Sequence, residues 1–369
     1  MASQPEGTES GERTVPDLLA LAAEIVAIPS VSHSEQALAD AVESDLRAAD
    51  WLSVERIGDT IVARTDQGRD RRVVIAGHLD TVPGDGEVRA EIDGEVLFGL
   101  GSSDMKGGLA VMLALAAVVR DPAVDVTYLF YPCEEVGREH NGLALLAKSR
   151  PDLLQADAAV LGEPTFGFVE AGCQGTLRGV AHISGRRAHT ARPFMGVNAI
   201  HRAAGLLDSL ASYESRHVVI DGCEYAEQLQ AVRIDGGIAS NVVPDSVAVT
   251  VNFRFAPDRS GSDAEDEVRR LVAPGIDESA GDRFEILEVA PGAPPSLTQP
   301  LLSRLVAASG SAPRAKVGWT DAATFFANGI PAANFGPGDP LLAHTKDEKV
   351  SRAELESVYD ALFKLLTEA

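Results

Sequence analysis

Between residues 16 and 28, Leu18, Leu19, Ala22, Ile25 and Val26 recur at three- and four-residue spacing. This puts them on one face of a helix, which Pro29 ends. A second helix is expected over residues 34–49, with Ser34 as its cap. Residues 1–14, by contrast, are polar and are expected to be disordered. Short apolar strands then take over, at residues 60–64 and 72–77. The unbroken run Val73-Val74-Ile75-Ala76 suits a strand buried on both faces. A helix over 108–120 and strands over 125–131 and 158–161 follow.

The middle third has a different period. Residues 176–184, 231–238 and 246–255 alternate, and Val247, Val249, Val251, Phe253 and Phe255 share one face. Helices over 196–213 and 262–272 and a strand over 284–289 complete an α+β insert with an antiparallel sheet. The Pro/Gly-rich stretch 291–295 marks the return to the first domain. A helix over 303–309, a strand over 331–335 and a terminal helix over 351–367 close the chain. The organisation read from the pattern is a first domain in two parts, residues 1–175 and 291–369, interrupted by an insert at 176–290. A length of 369 residues suits two cores better than one.

Composition narrows the partners. The formal charge is -23, from 55 acidic and 32 basic residues, so the surface repels nucleic acid and anionic membranes. An anionic substrate would need a local basic pocket. The longest apolar stretch, residues 109–119, falls far short of the roughly 20 residues of a membrane helix. No apolar signal segment precedes it, and Cys133, Cys173 and Cys223 lack paired spacing. A reducing, cytoplasmic setting is the expectation.

Chemistry concentrates where strands end. His78 and Asp80 follow the strand over 72–77. Asp104 precedes a Gly-rich turn and a helix, Glu134 and Glu135 follow the strand over 125–131, and Glu163 follows the strand over 158–161. Open α/β sheets place ligands at such strand ends. A hydrolytic metal site needs imidazole and carboxylate ligands, and a separate carboxylate to take a proton from water. Adjacent glutamates cannot share one role on a regular element, so one of the pair could hold metal while the other faces substrate. Taken singly, each is also at home elsewhere: a histidine in a satisfied structural position, a Glu-Glu pair on a solvated face.

Five segments together carry a resemblance. Residues 76–83 (AGHLDTVP), 99–108 (GLGSSDMKGG), 134–137 (EEVG), 162–165 (GEPT) and 343–345 (AHT) resemble, in order, the motifs of the aminoacylase/carboxypeptidase-G metallopeptidases. The implied fold class is α/β. It comprises a mixed-sheet, di-zinc peptidase catalytic domain and an inserted α+β dimerisation domain of antiparallel sheet plus two helices. The implied cofactors are two zinc ions, for which cobalt could substitute. The implied metal ligands are Asp104 as the bridge, His78 and Glu163 for one ion, and Glu135 and His344 for the other. Glu134 would be the general base, Asp80 the support of His78, and the peptide after Asp104 would be cis. Resemblance in later segments (236–244, 252–258, 318–321 and 334–338) points to a small anionic N-acyl diamino acid as substrate. Other N-acyl amino acids or dipeptides are the alternative on the same metals.

Five further residues follow from the same resemblance. His189 resembles an insert-domain histidine that relatives supply from the neighbouring subunit of a homodimer, and is otherwise a loop histidine. Arg254 is the candidate clamp for a substrate carboxylate, and is otherwise a solvent-facing strand arginine. Arg178 is a second candidate cation, and Asn241 and Thr320 are candidate hydrogen-bond donors.

Overall fold

A computed structural model describes residues 15–84 and 89–368, so the expectation for residues 1–14 lies outside the described residues. The described chain divides into two compact units. One comprises Met1–Asp157, Gly162–Gly167 and Phe335–Ala369, and the other Ala158–Leu161 and Phe168–Asn334.

In the first unit, the strand Arg72–His78 pairs in parallel with Asp125–Tyr131, which pairs antiparallel with Thr60–Arg64. The edge strand Ser53–Ile57 completes this part of a mixed sheet. The sequence pattern did not reveal it, because Ser53, Glu55 and Arg56 interrupt any apolar run. Both central strands are fully or almost fully buried, as their unbroken apolar runs require. Helix Leu18–Val26 buries all five of the residues picked out by their spacing, and Asp17 caps it by accepting from the N–H groups of Leu19 and Ala20. The second helix runs Gln36–Arg47. Its cap position is Glu35, not Ser34, and no side chain caps it.

Helix Gly107–Val118 is apolar on all sides and accordingly almost wholly buried. Burying each of Leu109, Met112 and Leu115 contributes about 1.5–3 kcal/mol. Two glycines let it approach the strands. A Cβ on Gly77 would lie 2.5 Å from the Met105 side chain, and one on Gly108 would lie 2.3 Å from the Gly162 carbonyl. A larger residue at Gly77 would push apart the segments that carry His78 and Asp104, and one at Gly108 those that carry Asp104 and Glu163.

In the second unit, Ala332–Asn334 lies parallel to Ala158–Leu161 and antiparallel to Glu170–Ala171. Residues 175–290 carry a separate antiparallel sheet in the order Gln228–Gly236, Ser246–Phe255, Gly175–Ser184, Arg283–Ala290. Val247, Val249, Val251, Phe253 and Phe255 fill one face of it and meet helix Gly261–Val272 through Ala264, Val268 and Val272. The single helix expected over 196–213 is instead two, Ala199–Arg202 and Ala204–Ala211, after a short turn at Pro193–Met195. The hairpin of His217–Ile220 and Cys223–Ala226 was not legible from the pattern. No described helix is long and apolar enough to cross a membrane.

Candidate metal centre

Parallel pairing aligns the ends of two strands. His78 is in register with Tyr131, and the Leu79 N–H donates to the Tyr131 carbonyl (2.8 Å). The segments that follow therefore leave the sheet side by side, one after His78 and one leading to Glu134 and Glu135. The Gly162 N–H donates to the Ala76 carbonyl (2.9 Å), which starts Glu163 at the same sheet end. Cys133 and His344 both adopt left-handed backbone with φ of 62°. That conformation is uncommon for residues other than glycine, and here it turns the chain sharply just before Glu134 and at His344. The Asp104–Met105 peptide is cis, as the resemblance implied.

The side chains converge. His78 Nε2 lies 3.1 Å from Asp104 Oδ1. His344 Nε2 lies 3.4 Å from Asp104 Oδ2 and 2.7 Å from Glu135 Oε1. His78, Asp104 and Glu135 each offer a ligand atom within 4.8 Å of the others. The two oxygens of Asp104 thus face different imidazoles, the arrangement a bridging carboxylate needs. Glu163 is buried at 6% exposure, and its charge acts on His78.

Electrostatics follow from this crowding. Burial works against a charged His78, but hydrogen bonds to Asp104 and Asp80 and the nearby charges of Asp104 and Glu163 outweigh it and hold its pKa well above the ordinary value. Hydrogen bonds to Asp104 and Glu135 push His344 up to about 10. Burial opposes ionisation of Asp104, yet bonds to both histidines hold its carboxyl well below the usual range. Burial likewise opposes ionisation of Asp80, but His78 and the bonds it accepts bring it to about 2. Protons on two imidazoles offset the clustered carboxylates, and a divalent cation at each position would do the same with neutral histidines as ligands. Imidazole nitrogens and carboxylate oxygens are the donors that zinc and its neighbours accept, so the residues fit a pair of such ions.

Asp80 does more than the support of His78 expected of it. His78 Nδ1 is 3.0 Å from the Asp80 main-chain carbonyl and 3.6 Å from its carboxylate. That carboxylate also accepts from the N–H groups of Glu134 and Glu135 (3.0 Å each) and from the Ser32 hydroxyl (2.8 Å). It therefore fixes the turn that carries both glutamates. Glu35 acts one step further out, accepting from the Cys133 N–H at 3.1 Å. Neither Ser32 nor Glu35 carried a sequence signal, since each bonds across a separation of 48 or 98 residues.

The other candidates lie in the second unit. His189 pairs with Val242, and the Thr190 N–H donates to the Asn241 carbonyl (3.0 Å), which brings His189 and Asn241 together. Arg254 is half-buried and makes one hydrogen bond, Nε to Asn252 (3.1 Å), with no ion pair among the described residues. Burial pulls its pKa down. Arg178 is paired with Glu288 (3.1 Å). Thr320 is buried and donates its hydroxyl to Asn334 Oδ1 (2.8 Å), so it is not the free donor expected.

Among known proteins, the succinyl-diaminopimelate desuccinylase of Corynebacterium glutamicum is 40% identical, over 95% of this chain and 96% of its own. A Mycobacterium tuberculosis H37Rv protein to which the same name is provisionally given is 48% identical, over 95% and 98%. A tripeptidase of Staphylococcus aureus shares the fold at a TM-score of 0.79 and 20% identity, covering 96% of this chain and 98% of its own. So does a dinuclear metal binding peptidase of Bacillus subtilis, at 0.68 and 16%, covering 94% and 96%. The profile of peptidase family M20/M25/M40 matches residues 74–368, a span that holds every converging side chain from His78 to His344. The chain belongs to peptidase family M20/M25/M40 and is a metal-dependent hydrolase.

Proposed function

We propose that this protein hydrolyses N-succinyl-LL-2,6-diaminopimelate to succinate and LL-diaminopimelate, using two zinc ions, in the cytoplasm and as a homodimer. The observation that carries the hydrolytic reading is the split of Asp104, with one oxygen toward His78 and the other toward His344. The substrate reading rests on the two desuccinylase-named relatives, which match along nearly the whole chain.

When bound, the two ions supply Lewis acidity toward the acyl carbonyl and toward a water. The protein's own residues do the rest. His78, Asp104 and Glu163 would hold one ion, and Asp104, Glu135 and His344 the other. Glu134, held by its main-chain N–H on Asp80, takes the proton from the attacking water. The oxygen bonds to the acyl carbon, the C–N bond breaks, and Glu134 passes the proton to the leaving amine. His189 donates to the oxyanion from the neighbouring subunit. Its Nδ1 accepts the Ala191 N–H (3.0 Å), so the neutral ring keeps its proton on Nε2, the nitrogen free to donate.

Arg254 is the cation with most to offer a substrate carboxylate. Only one of its five N–H donors is engaged, and burial strengthens whatever pairing it makes. Arg178 is the weaker candidate, already spent on Glu288. Asn241 stays a candidate donor through its exposed side chain. A second copy of the chain has a place to pair. Strand Gln228–Gly236 is a sheet edge, bonded on one side only, with Val232 57% and Ile234 51% exposed. The three cysteines are free and buried, which suits a reducing compartment.

A substrate panel tests the reading. Zinc-loaded protein is expected to cleave N-succinyl-diaminopimelate with kcat/KM at least tenfold above N-acetylornithine or a dipeptide. Faster cleavage of N-acetylornithine would overturn the substrate. The subunit contribution is tested by mixing His189→Ala chains with Glu134→Ala chains. The mixture should regain activity that neither variant has alone, and no recovery would place His189 outside its partner's site.

Metal uptake carries a pH signature. A raised histidine pKa stabilises the metal-free fold below the ordinary value of 6.5, and this contribution is lost as pH climbs through about 10 at His344. At pH 7.5 the His344 imidazole of the metal-free protein is charged, and ligation requires it neutral. Uptake of metal should therefore release at least about one proton. Calorimetry in buffers of different ionisation enthalpy reads this directly, and heats independent of buffer would contradict it.

A further inference from the structure

The turn that carries Asp104 satisfies its own backbone only in part: the Ser102 N–H donates to the Gly99 carbonyl (3.0 Å) and the Lys106 N–H to the Gly101 carbonyl (2.8 Å). Gly101 is left-handed with φ of 82°, and Asp104 and Met105 have non-helical angles within the turn. The N–H groups of Gly101, Ser103 and Asp104 point to one place, the carboxylate of Glu348. Its Oε2 accepts from Gly101 at 2.9 Å, and its Oε1 accepts from Ser103 and Asp104 at 2.8 Å each. Glu348 is 1% exposed, so these are bonds shielded from water. The same residue's carbonyl accepts the Gly99 N–H (3.1 Å), and Ser103 Oγ donates to the Lys349 carbonyl (2.7 Å). The strand Lys349–Ser351 then anchors this segment by pairing with Val96–Phe98. Lys106, buried and donating Nζ to the Ile28 carbonyl (2.7 Å), places a compensating charge nearby.

We propose that Glu348 is the positioning residue for Asp104: its carboxylate ties three N–H groups of the 101–104 turn to the segment that follows His344, and so sets the two oxygens of Asp104 toward their separate metal positions. The physical reason is geometric. Asp104 can serve two ions only if its Cα and side-chain torsion are fixed, and the turn's own bonds flank it while the N–H groups of Ser103 and Asp104 rest on Glu348. Glu348 lies four residues after His344, so one short segment sets the bridge and the last ligand together. A glutamine at 348 keeps the shape but offers an amide nitrogen where one of these N–H groups needs an acceptor. The inference rests on the two-metal reading above.

The test uses the full chain, stripped of metal, as wild type and as Glu348→Gln. Zinc affinity is measured by equilibrium dialysis at pH 7.5, the cobalt-loaded forms by visible absorption, and the metal-free forms by thermal unfolding. Wild type is expected to bind two zinc ions. Glu348→Gln is expected to lose at least tenfold in affinity at both positions, with a changed cobalt spectrum and a lower kcat at little-changed KM. A lower unfolding temperature with zinc affinity and cobalt spectrum unchanged within twofold would make Glu348 a merely structural residue and overturn the proposal. Should Glu348→Gln not fold, Glu348→Asp, which withdraws the same carboxylate by one methylene, is read in the same way. If wild type binds no zinc, the two-metal reading itself falls, a result distinct from normal binding by both proteins.

Discussion

Glu134→Ala is expected to keep its metal and lose turnover by a factor on the order of 10⁴, about 5 kcal/mol of transition-state stabilisation. The two halves of that expectation come from different atoms. Metal is retained because Glu135, not Glu134, contacts His344, at 2.7 Å. The turn is retained because Asp80 holds the main-chain N–H of residue 134, which alanine also has. What disappears is the carboxylate proposed to take a proton from water and return it to the amine. KM should change little, since the loss falls on the reaction step and not on binding. Metal analysis and steady-state kinetics on one preparation check both halves. A variant with more than a tenth of the activity would remove Glu134 as the base, and one that loses its metal would make it a ligand.

Asp104→Ala should have the other large effect, on binding as well as on rate. Among the described residues this side chain alone faces both histidines, so on the proposed reading its removal takes a ligand from each position at once. Affinity for both ions is expected to fall by more than about 10³-fold, with activity below detection. Glu163→Ala makes the useful contrast, because it would remove a proposed ligand from the His78 side only. It should bind one ion near normally and the other weakly. Equilibrium dialysis separates the cases. If Asp104→Ala loses only one ion, the split of its two oxygens does not mean bridging.

Much of the framework was legible in the sequence because the signals were local. The unbroken apolar run at residues 73–76 gave the buried strand, and the alternation at 246–255 gave the sheet face that packs on helix Gly261–Val272. The metal-site candidates were legible through placement after strands and through family resemblance. What escaped depended on distance along the chain. Nothing near Ser32 or Glu35 announces a bond to Asp80 or Cys133. Glu348 reads as one acid in the run Lys346-Asp347-Glu348-Lys349, and only the fold shows that it is buried. Thr320 misled in the opposite sense. The resemblance made it a candidate donor to substrate, yet its hydroxyl donates to Asn334, 14 positions on. The cap at Glu35 and the broken helix over 196–213 show how local spacing fixes an element's existence better than its ends.

The most direct test of the central claim is anomalous diffraction at the zinc edge from crystals of the zinc-loaded protein. Two peaks are expected, about 3.5–4 Å apart. One should touch His78 and Glu163, the other Glu135 and His344, with a different oxygen of Asp104 on each. A single peak, or two peaks of which only one meets Asp104, would contradict the account.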